Sequence, residues 1–446
     1  MTLDIARSRR PLFLQQRFWP MWTALSLGAF TDNMLRQALL IGIPFGAIKI
    51  SGLPNADDAI PIIGLFFPLA MLMFSTISGQ IAEKYETASL FRRTKLAEVV
   101  LMAIAAIGFY LNSGLLLIIT LFAMGAQSAF FSPARLAAMP KYLRPNELVR
   151  GNGLCNAGLY VSILVGLFLG GLLIAAPNGG AKISVILLVA SLAGWLAIRN
   201  APHGAPNSPD LRFDWNPFQQ GARIFSYAFR APGVVRPVLG AAFFFYTSTL
   251  VTLLIPLYVK STLQADELTA TMIMGLFAIG AGVGALAAAS LTRRRSGLGF
   301  STFGIAGAAA LTLLIFVLTQ FARNAPGGGT LTASAAGIAL AIAFCLTSAL
   351  MGIFIAPLQA AMQRRAPPAE RARILAASNM ANAAAAIFGS LSILAVTQGG
   401  LPPDRAFLIV AALQSAVAAY MVWRKRRVPE GLHDDTLLAP PHGENA

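Results

Sequence analysis

Long apolar runs, separated by short stretches rich in charge, Pro or Gly, make up most of the chain. A helix needs roughly 20 residues to cross about 30 Å of hydrocarbon. Twelve runs of about that length stand out, at 20–48, 60–82, 94–111, 114–139, 148–175, 181–199, 234–259, 267–291, 300–321, 331–361, 371–397 and 404–423. They are continuous rather than alternating, which excludes the period-two pattern of a membrane β-barrel. Connections such as Asn112-Ser113 and the stretch from Gly399 to Pro403 are so short that the helices they join must run antiparallel.

Composition strengthens this picture. The 446 residues are 56% hydrophobic and 12% charged, with a mean hydropathy of +0.67, whereas soluble domains are about a quarter charged. An all-α membrane protein follows. All but six of the 34 Lys and Arg residues fall on the N-terminus, the connections from even to odd spans and the C-terminus. Of those six, Lys49, Lys182, Lys260, Arg323 and Arg405 lie in the opposite loops, and Arg36 lies inside the first span. Basic loops are retained in the cytoplasm, so both termini are expected there. The net charge of +16 is thus a topology signal, with some attraction to anionic membrane lipids, and not a nucleic-acid footprint.

The chain repeats itself at half its length. "FFSPARLAAMPKYLRPNELVRGNGLCNAG" from Phe130 and "FIAPLQAAMQRRAPPAERARILAASNMANAA" from Phe354 align Pro133 with Pro357, share an "AAM", continue into a basic turn and bring Asn156 near Asn382. Their places between spans four and five and spans ten and eleven fit a six-plus-six duplication. The expected organisation is a six-helix half over 1–199, a cytoplasmic linker over 200–233, a second six-helix half over 234–427 and a disordered tail over 428–446. Within the linker, Asn216 can cap and Pro217 start an interfacial helix with Phe218, Ala222, Phe225 and Phe229 on one face, and Arg223 and Arg230 among its polar positions. Small residues one turn apart, at Gly158, Ser162, Gly166 and Gly170, at Gly280, Gly284 and Ala288, and at Ala381, Ala385 and Gly389, allow close helix approach. That serves either static packing or sliding of the halves.

Catalytic signatures are missing from the sequence. His203, His433 and His442 lie in the linker or tail, and none is followed four residues later by Asp. There is no G-x-S-x-G, H-E-x-x-H or G-x-x-x-x-G-K-[ST] pattern. Cys155 and Cys345 sit singly in apolar runs and read as core. Neither an enzyme nor a cofactor is implied, and ATP-driven transport by this chain alone is excluded.

The polar chemistry lies within the spans. "FTDNMLRQAL" places Asp32, Asn33 and Arg36 about 13 residues, or roughly 20 Å, into the first span. Charges at that depth cost on the order of 2.5–3.5 kcal/mol each and usually face a bundle interior or a water-filled cavity. At i and i+4, Asp32 can hold Arg36. Either the pair is closed and fixes the helix, or it is the polar floor of a cavity for a zwitterionic or anionic headgroup or a cation. Gln127, Asn152, Asn156, Gln359, Asn379 and Asn382 add amides from spans four, five, ten and eleven.

At the cytoplasmic end of span two, "GQIAEKYE" sets Gly79, Glu83 and Lys84 at the spacing of the G-x-x-x-D-R loop of the major facilitator superfamily. "FRRTKLAE" adds Arg92, Arg93, Lys95 and Glu98. This resembles that superfamily's gate between helices two and three, with Glu83 as a salt-bridge latch. More narrowly, "FTDNMLRQAL", "RRTKLAE", "QSAFFSPARLAAMPKYLRPNELVRGNGL", "WNPF" and "IPLYVKSTL" resemble segments of the bacterial lysophospholipid transporter family, and of the transporter halves fused to acylglycerophosphoethanolamine acyltransferases. Arg135, in the third of these segments, is assigned to the gate.

The resemblance implies a major facilitator fold of 12 transmembrane helices in a bacterial inner membrane. It also implies import of lysophospholipids such as lysophosphatidylethanolamine for reacylation by a separate acyltransferase. Asp32 would take the ammonium, Arg36 the phosphate and Asn33 a glycerol hydroxyl. An exporter of a soluble amphipathic compound, drug or siderophore would use the same fold, and recruitment of a partner enzyme would make the Asp32 pair dispensable.

Overall fold

The structure, a computed structural model, describes residues 11–427 apart from 51, 54, 145–146, 207, 212, 214–225, 227–232, 292–297, 324–334 and 366–370. The expected interfacial helix of the linker and the expected disordered tail lie outside the described residues. Twelve long helices are present among the described residues. They are α1 (Trp19–Gly42), α2 (Ala59–Lys84), α3 (Thr87–Tyr110), α4 (Gly114–Tyr142), α5 (Leu148–Ile174), α6 (Gly179–Ile198), α7 (Val235–Ser261), α8 (Glu267–Leu291), α9 (Leu298–Arg323), α10 (Ala335–Arg365), α11 (Arg371–Gln398) and α12 (Pro403–Arg427).

Local chemistry explains where they start and stop. Pro20 opens α1, where a missing N–H costs nothing. Pro44 has no N–H to continue the helical ladder, and α1 ends at Gly42, short of the apolar run that extends to Ile48. In the other direction, α3 begins at Thr87, seven residues before the apolar run. Glu86 caps it, accepting hydrogen bonds from the backbone N–H groups of Ala88 and Ser89. Ser113 accepts the Leu116 N–H to start α4, directly after Asn112 has turned the chain at φ 48°.

The chain divides into two compact units between Gln220 and Gly221, and each shows the same packing. In the first, α1 packs on α5 and α6, α2 on α4, and α3 on α4 and α6. In the second, α7 packs on α11 and α12, α8 on α10, and α9 on α10 and α12. Adding six to every helix number converts one list into the other. The repeat is thus present in packing as well as in the Pro133/Pro357 match, and both prolines sit inside helices.

Small residues make the tight seams inside each unit. A Cβ on Gly166 would sit 2.5 Å from the Phe30 carbonyl oxygen of α1, and one on Gly170 would collide with that of Met34. Gly280 and Gly284 meet the α10 carbonyls of Cys345 and Ala349 in the same way, and Gly389 meets the α7 carbonyl of Tyr246. Of the two roles open to these stripes, static packing within a half is the one their contacts show. Elsewhere the cores are apolar. Phe18, Met21, Phe91 and Phe131 fill the first unit, and Tyr258, Phe344 and Phe407 pack edge to face in the second.

Ten of the twelve helices are long and apolar enough to cross a membrane. Outward-facing Ile107, Val189, Leu286, Phe303 and Phe388, all exposed, suit lipid rather than water. The two helices outside the ten are α1 and α3. These carry Asp32 with Arg36 and Lys95 with Glu98, so the departure from hydropathy is concentrated at one place in the first unit.

Candidate functional site

That place is a polar cluster contributed by α1, α3 and α4. On α3, Lys95 and Glu98 are one turn apart and pair at 2.6 Å, both side chains 2% exposed. Lys95 Nζ also lies 4.9 Å from the centre of the Phe131 ring. Gly28 leaves room for that ammonium, since a Cβ there would press on Lys95 Nζ. Glu98 receives further hydrogen bonds from Gln127 Nε2 at 3.2 Å and from the Thr31 hydroxyl at 3.3 Å. Gln127 uses its remaining N–H on the Thr94 carbonyl, at 3.1 Å.

Asp32 completes the cluster from α1. Its Oδ2 accepts a 2.7 Å hydrogen bond from the Ser128 hydroxyl of α4, which also lies 3.4 Å from Gln127 Oε1. Its Oδ1 is buried and has no hydrogen-bond partner. A continuous set of contacts therefore runs from Lys95 through Glu98, Gln127 and Ser128 to one oxygen of Asp32, and leaves the other oxygen without a donor. No ion pair within 4.0 Å joins Asp32 to Arg36. The closed pair allowed by their i, i+4 spacing does not form, since Asp32 turns toward α4. Asn33 donates to the Ala29 carbonyl one turn back, at 2.8 Å, which leaves its side-chain oxygen as an acceptor.

Several sequence expectations are relocated. Glu98 was grouped with the cytoplasmic gate, but its side chain is committed to Lys95 in the interior. Glu83, the expected latch, is exposed and makes no salt bridge among the described residues; its backbone carbonyl accepts the Ser208 N–H. Asn152 is exposed and bonds its own helix at Leu148, while Asn156, Gln359 and Asn379 are exposed. Asn382 is buried, with Oδ1 unpartnered. Arg135 has a buried Nε without a partner and lies beside Cys155, whose burial is complete. Gly79 has open space around the position of a Cβ, and Arg93 is exposed.

Glu86, at the start of α3, is a residue that sequence reasoning missed. Besides capping α3, its carboxylate accepts the Gly204 N–H at 3.0 Å and lies 3.2 Å from His203 Nδ1 and 3.7 Å from Arg92. Around it, Thr87 N–H donates to the Gly204 carbonyl, Lys141 to the Ala205 carbonyl, the Tyr142 hydroxyl to the Pro202 carbonyl, and Lys84 to the Leu211 carbonyl. The linker thus begins as a strap fastened to the first unit. Burial works against the Glu86 charge, but the N–H donors of Gly204, Ala88 and Ser89, with His203, outweigh it and hold the carboxyl below the usual carboxylate range. The signal was present: an acidic residue just ahead of "TASLF" is an N-cap pattern.

Among the described residues the second unit shows no equivalent cluster. Each Asp, Glu, Lys and Arg of α7 to α12 lies within about one turn of a helix end. Met351, which stands six residues before Pro357 as Gln127 stands six before Pro133, receives a weak hydrogen bond from Gln414, at 3.8 Å. Gln414 in turn accepts from Thr312 at 2.9 Å. Beside them is a small recess with Phe244, Val251, Phe277 and Met351 among its walls.

Twelve helices in two like-packed sixes, with a buried polar cluster of one half gathered on its first, third and fourth helices, define a membrane transporter of the major facilitator class. The chain belongs to the Major Facilitator Superfamily, whose family model matches residues 91–390. Among curated proteins it is similar to the lysophospholipid transporter LplT of Pectobacterium carotovorum subsp. carotovorum (strain PC1), 28% identical over 351 residues, 76% of this chain and 75% of that one. It is likewise similar to the lysophospholipid transporter LplT of Enterobacter sp. (strain 638), 26% identical over 417 residues, 91% of this chain and 95% of that one. Solved structures share the fold. A peptide transporter POT in complex with sulfate superposes with a TM-score of 0.65 at 16% identity, covering 93% of this chain and 96% of that one. A bacterial homologue of the iron transporter ferroportin gives 0.60 at 14% identity, covering 90% and 98%.

Proposed function

We propose that this protein is a secondary transporter that moves lysophospholipids, lysophosphatidylethanolamine among them, across a bacterial inner membrane by alternating access, with both termini cytoplasmic. The observation that carries the reading is Asp32: a buried carboxylate inside a membrane helix, held on one oxygen and open on the other. The similarity to lysophospholipid transporters over most of the chain supports it.

The chemistry follows from what a lysolipid presents. Its charged headgroup must cross about 30 Å of hydrocarbon, and a site that replaces its hydration shell lowers that barrier. Asp32 Oδ1 takes the ammonium, Arg36 the phosphate, and the free side-chain oxygen of Asn33 a glycerol hydroxyl. Gln127 acts behind Asp32, because its N–H groups are already used. Asn152, Asn156, Asn379 and Asn382 offer neutral polar contacts along the route. Gly79, Glu83, Lys84, Arg92, Arg93 and Arg135 belong to the cytoplasmic rim, and a separate acyltransferase consumes the delivered lysolipid.

The test is uptake of headgroup-labelled lysophosphatidylethanolamine into proteoliposomes, with the diacyl lipid as control. Protein-dependent movement of the lysolipid alone, lost in Asp32→Asn, is the expected result. Wild-type uptake rates in correctly inserted Asp32→Asn and Arg36→Ala proteins would overturn the site assignment. Absence of any lysolipid movement, with binding of a water-soluble amphipathic compound instead, would favour the exporter reading.

A further inference from the structure

Helices α3 and α4 form an antiparallel hairpin joined at one end by residues 111–113, where Asn112 turns the chain. The strap lies across the open end. Gly204 N–H donates to Glu86 Oε1 at 3.0 Å, and the Gly204 carbonyl accepts the Thr87 N–H at 3.0 Å, both at the start of α3. At the end of α4, the Tyr142 hydroxyl donates to the Pro202 carbonyl at 2.7 Å and Lys141 Nζ to the Ala205 carbonyl at 2.6 Å. Lys141 Nζ also donates to Thr87 Oγ1 at 3.1 Å, which closes the bridge from helix to helix. The fit is close: Gly204 and Thr87 are buried, and a Cβ at 204 would lie 3.1 Å from Thr87 Cβ.

We propose that the strap is a splint: it closes the open end of the α3–α4 hairpin, stays fastened throughout the transport cycle and keeps Glu98 in register with Gln127. This rests on the transport reading above. Glu98, about three turns along α3 from Thr87, accepts a hydrogen bond from Gln127 of α4 at 3.2 Å. A hairpin tied at one end alone can slide or splay at the other, and a shift of about 1 Å would break that bond. Lifting the strap would also take partners from the Thr87 N–H and the Tyr142 hydroxyl, and both residues are buried. Alternating access moves six-helix halves largely as rigid bodies. The strap partners named above all belong to the first unit, so rocking has no need to break them. A lid that lifts at each turnover is the opposite device, and locking the strap shut separates the two.

The closeness of positions 87 and 204 supplies the lock, since a disulfide spans about 3.5–4.5 Å between Cβ atoms. Uptake of lysophosphatidylethanolamine by the Thr87→Cys/Gly204→Cys protein in proteoliposomes is compared before and after reduction. The expected result is equal uptake in the oxidised and reduced forms. Gly204→Leu, whose side chain has no room against Thr87, lifts the strap, and uptake falls roughly tenfold, within the range that a misplacement of about 1 Å brings. If that variant fails to insert, Lys141→Met/Tyr142→Phe removes the α4 side of the bridge, with the same fall expected. Uptake lost on oxidation and restored by reduction makes the strap a lid and overturns the proposal, as does wild-type uptake in the lifted variants. If wild type moves no lysolipid, the transport reading fails, and infrared spectra of the detergent-purified protein read the register directly. The Glu98 carboxylate band, assigned with Glu98→Gln, shifts in Gly204→Leu and stays in place in the oxidised pair; a band unaltered by Gly204→Leu overturns the splint.

Discussion

Lys95 and Glu98 lie 2.6 Å apart on one face of α3 with both side chains 2% exposed, and the pair stands behind the whole arrangement at Asp32. Burial of two charges is repaid only when every partner is present. Removing one leaves an uncompensated charge in the interior, typically a loss of about 3–5 kcal/mol, whereas replacing both by apolar groups of similar volume is often close to neutral. Lys95→Met and Glu98→Leu should each lower the unfolding temperature of the detergent-solubilised protein sharply, and the double variant should recover most of the loss. Additive losses in the double variant would show that the pair has no mutual role.

The glycine seams predict a different kind of sensitivity. Gly284 lies so close to the Ala349 carbonyl of α10 that any Cβ must push backbone apart, while Gly79 has nothing within 4 Å of the same position. Gly284→Ala should therefore reduce the yield of folded protein severely. Gly79→Ala should leave the yield unchanged and the stability within about 1 kcal/mol of wild type, since only the helix-propensity gain of alanine is in play. Fluorescence-detected size-exclusion profiles of the two variants decide this. Equal profiles would remove close packing as the reason for the glycine stripes.

Much of the architecture is legible in the pattern of residues, because lipid solvent leaves few ways to satisfy a backbone. Twelve runs became twelve helices among the described residues, and the repeat at Pro133 and Pro357 became two units with matching packing. What misled was the charge on α3. Reading Arg92, Arg93, Lys95 and Glu98 as one cytoplasmic group hid the fact that helical rotation and Gly28 draw Lys95 and Glu98 into the interior while Arg92 and Arg93 stay exposed. The Asp32–Arg36 spacing was equally ambiguous. A neighbour on another helix, Ser128, takes one oxygen of Asp32, and no sequence period announces such a partner. Glu86 was overlooked because attention went to the motif position at Glu83, three residues earlier, rather than to the N-cap it occupies.

Glu86 supplies a pH prediction with a definite sign. Its carboxyl is held below the usual range in the folded protein by the N–H groups of Gly204, Ala88 and Ser89 and by His203, against the effect of burial. A depressed folded value means that the stabilisation is fully present above the unfolded carboxylate value of about 4.3. It is then lost as the pH falls through the folded value. Hydrogen exchange at the Thr87 and Gly204 amides should therefore accelerate relative to the rest of α3 as the pH falls below about 4. In Glu86→Gln the pH step should vanish, with protection lower by roughly five- to tenfold throughout, the usual scale of a lost cap. An unaltered pH step in that variant would exclude Glu86 as its source.

The i, i+4 spacing of Asp32 and Arg36 offers two readings that a pair of variants can separate. If the two residues serve mainly to neutralise each other, Asp32→Asn and Arg36→Ala should each impair the protein and their combination should restore it. If each serves a different part of a zwitterionic headgroup, the combination should be at least as inactive as either single change. The structure favours the second outcome, because Asp32 takes its hydrogen bond from Ser128 and makes no contact ion pair with Arg36. Arg36→Lys sharpens the comparison. A lysine keeps the charge but not the planar fork that grips two phosphate oxygens, so uptake of lysophosphatidylethanolamine should fall roughly tenfold with insertion unchanged. Recovery of uptake in the Asp32→Asn/Arg36→Ala protein would instead show that the residues answer to each other and that the headgroup binds elsewhere.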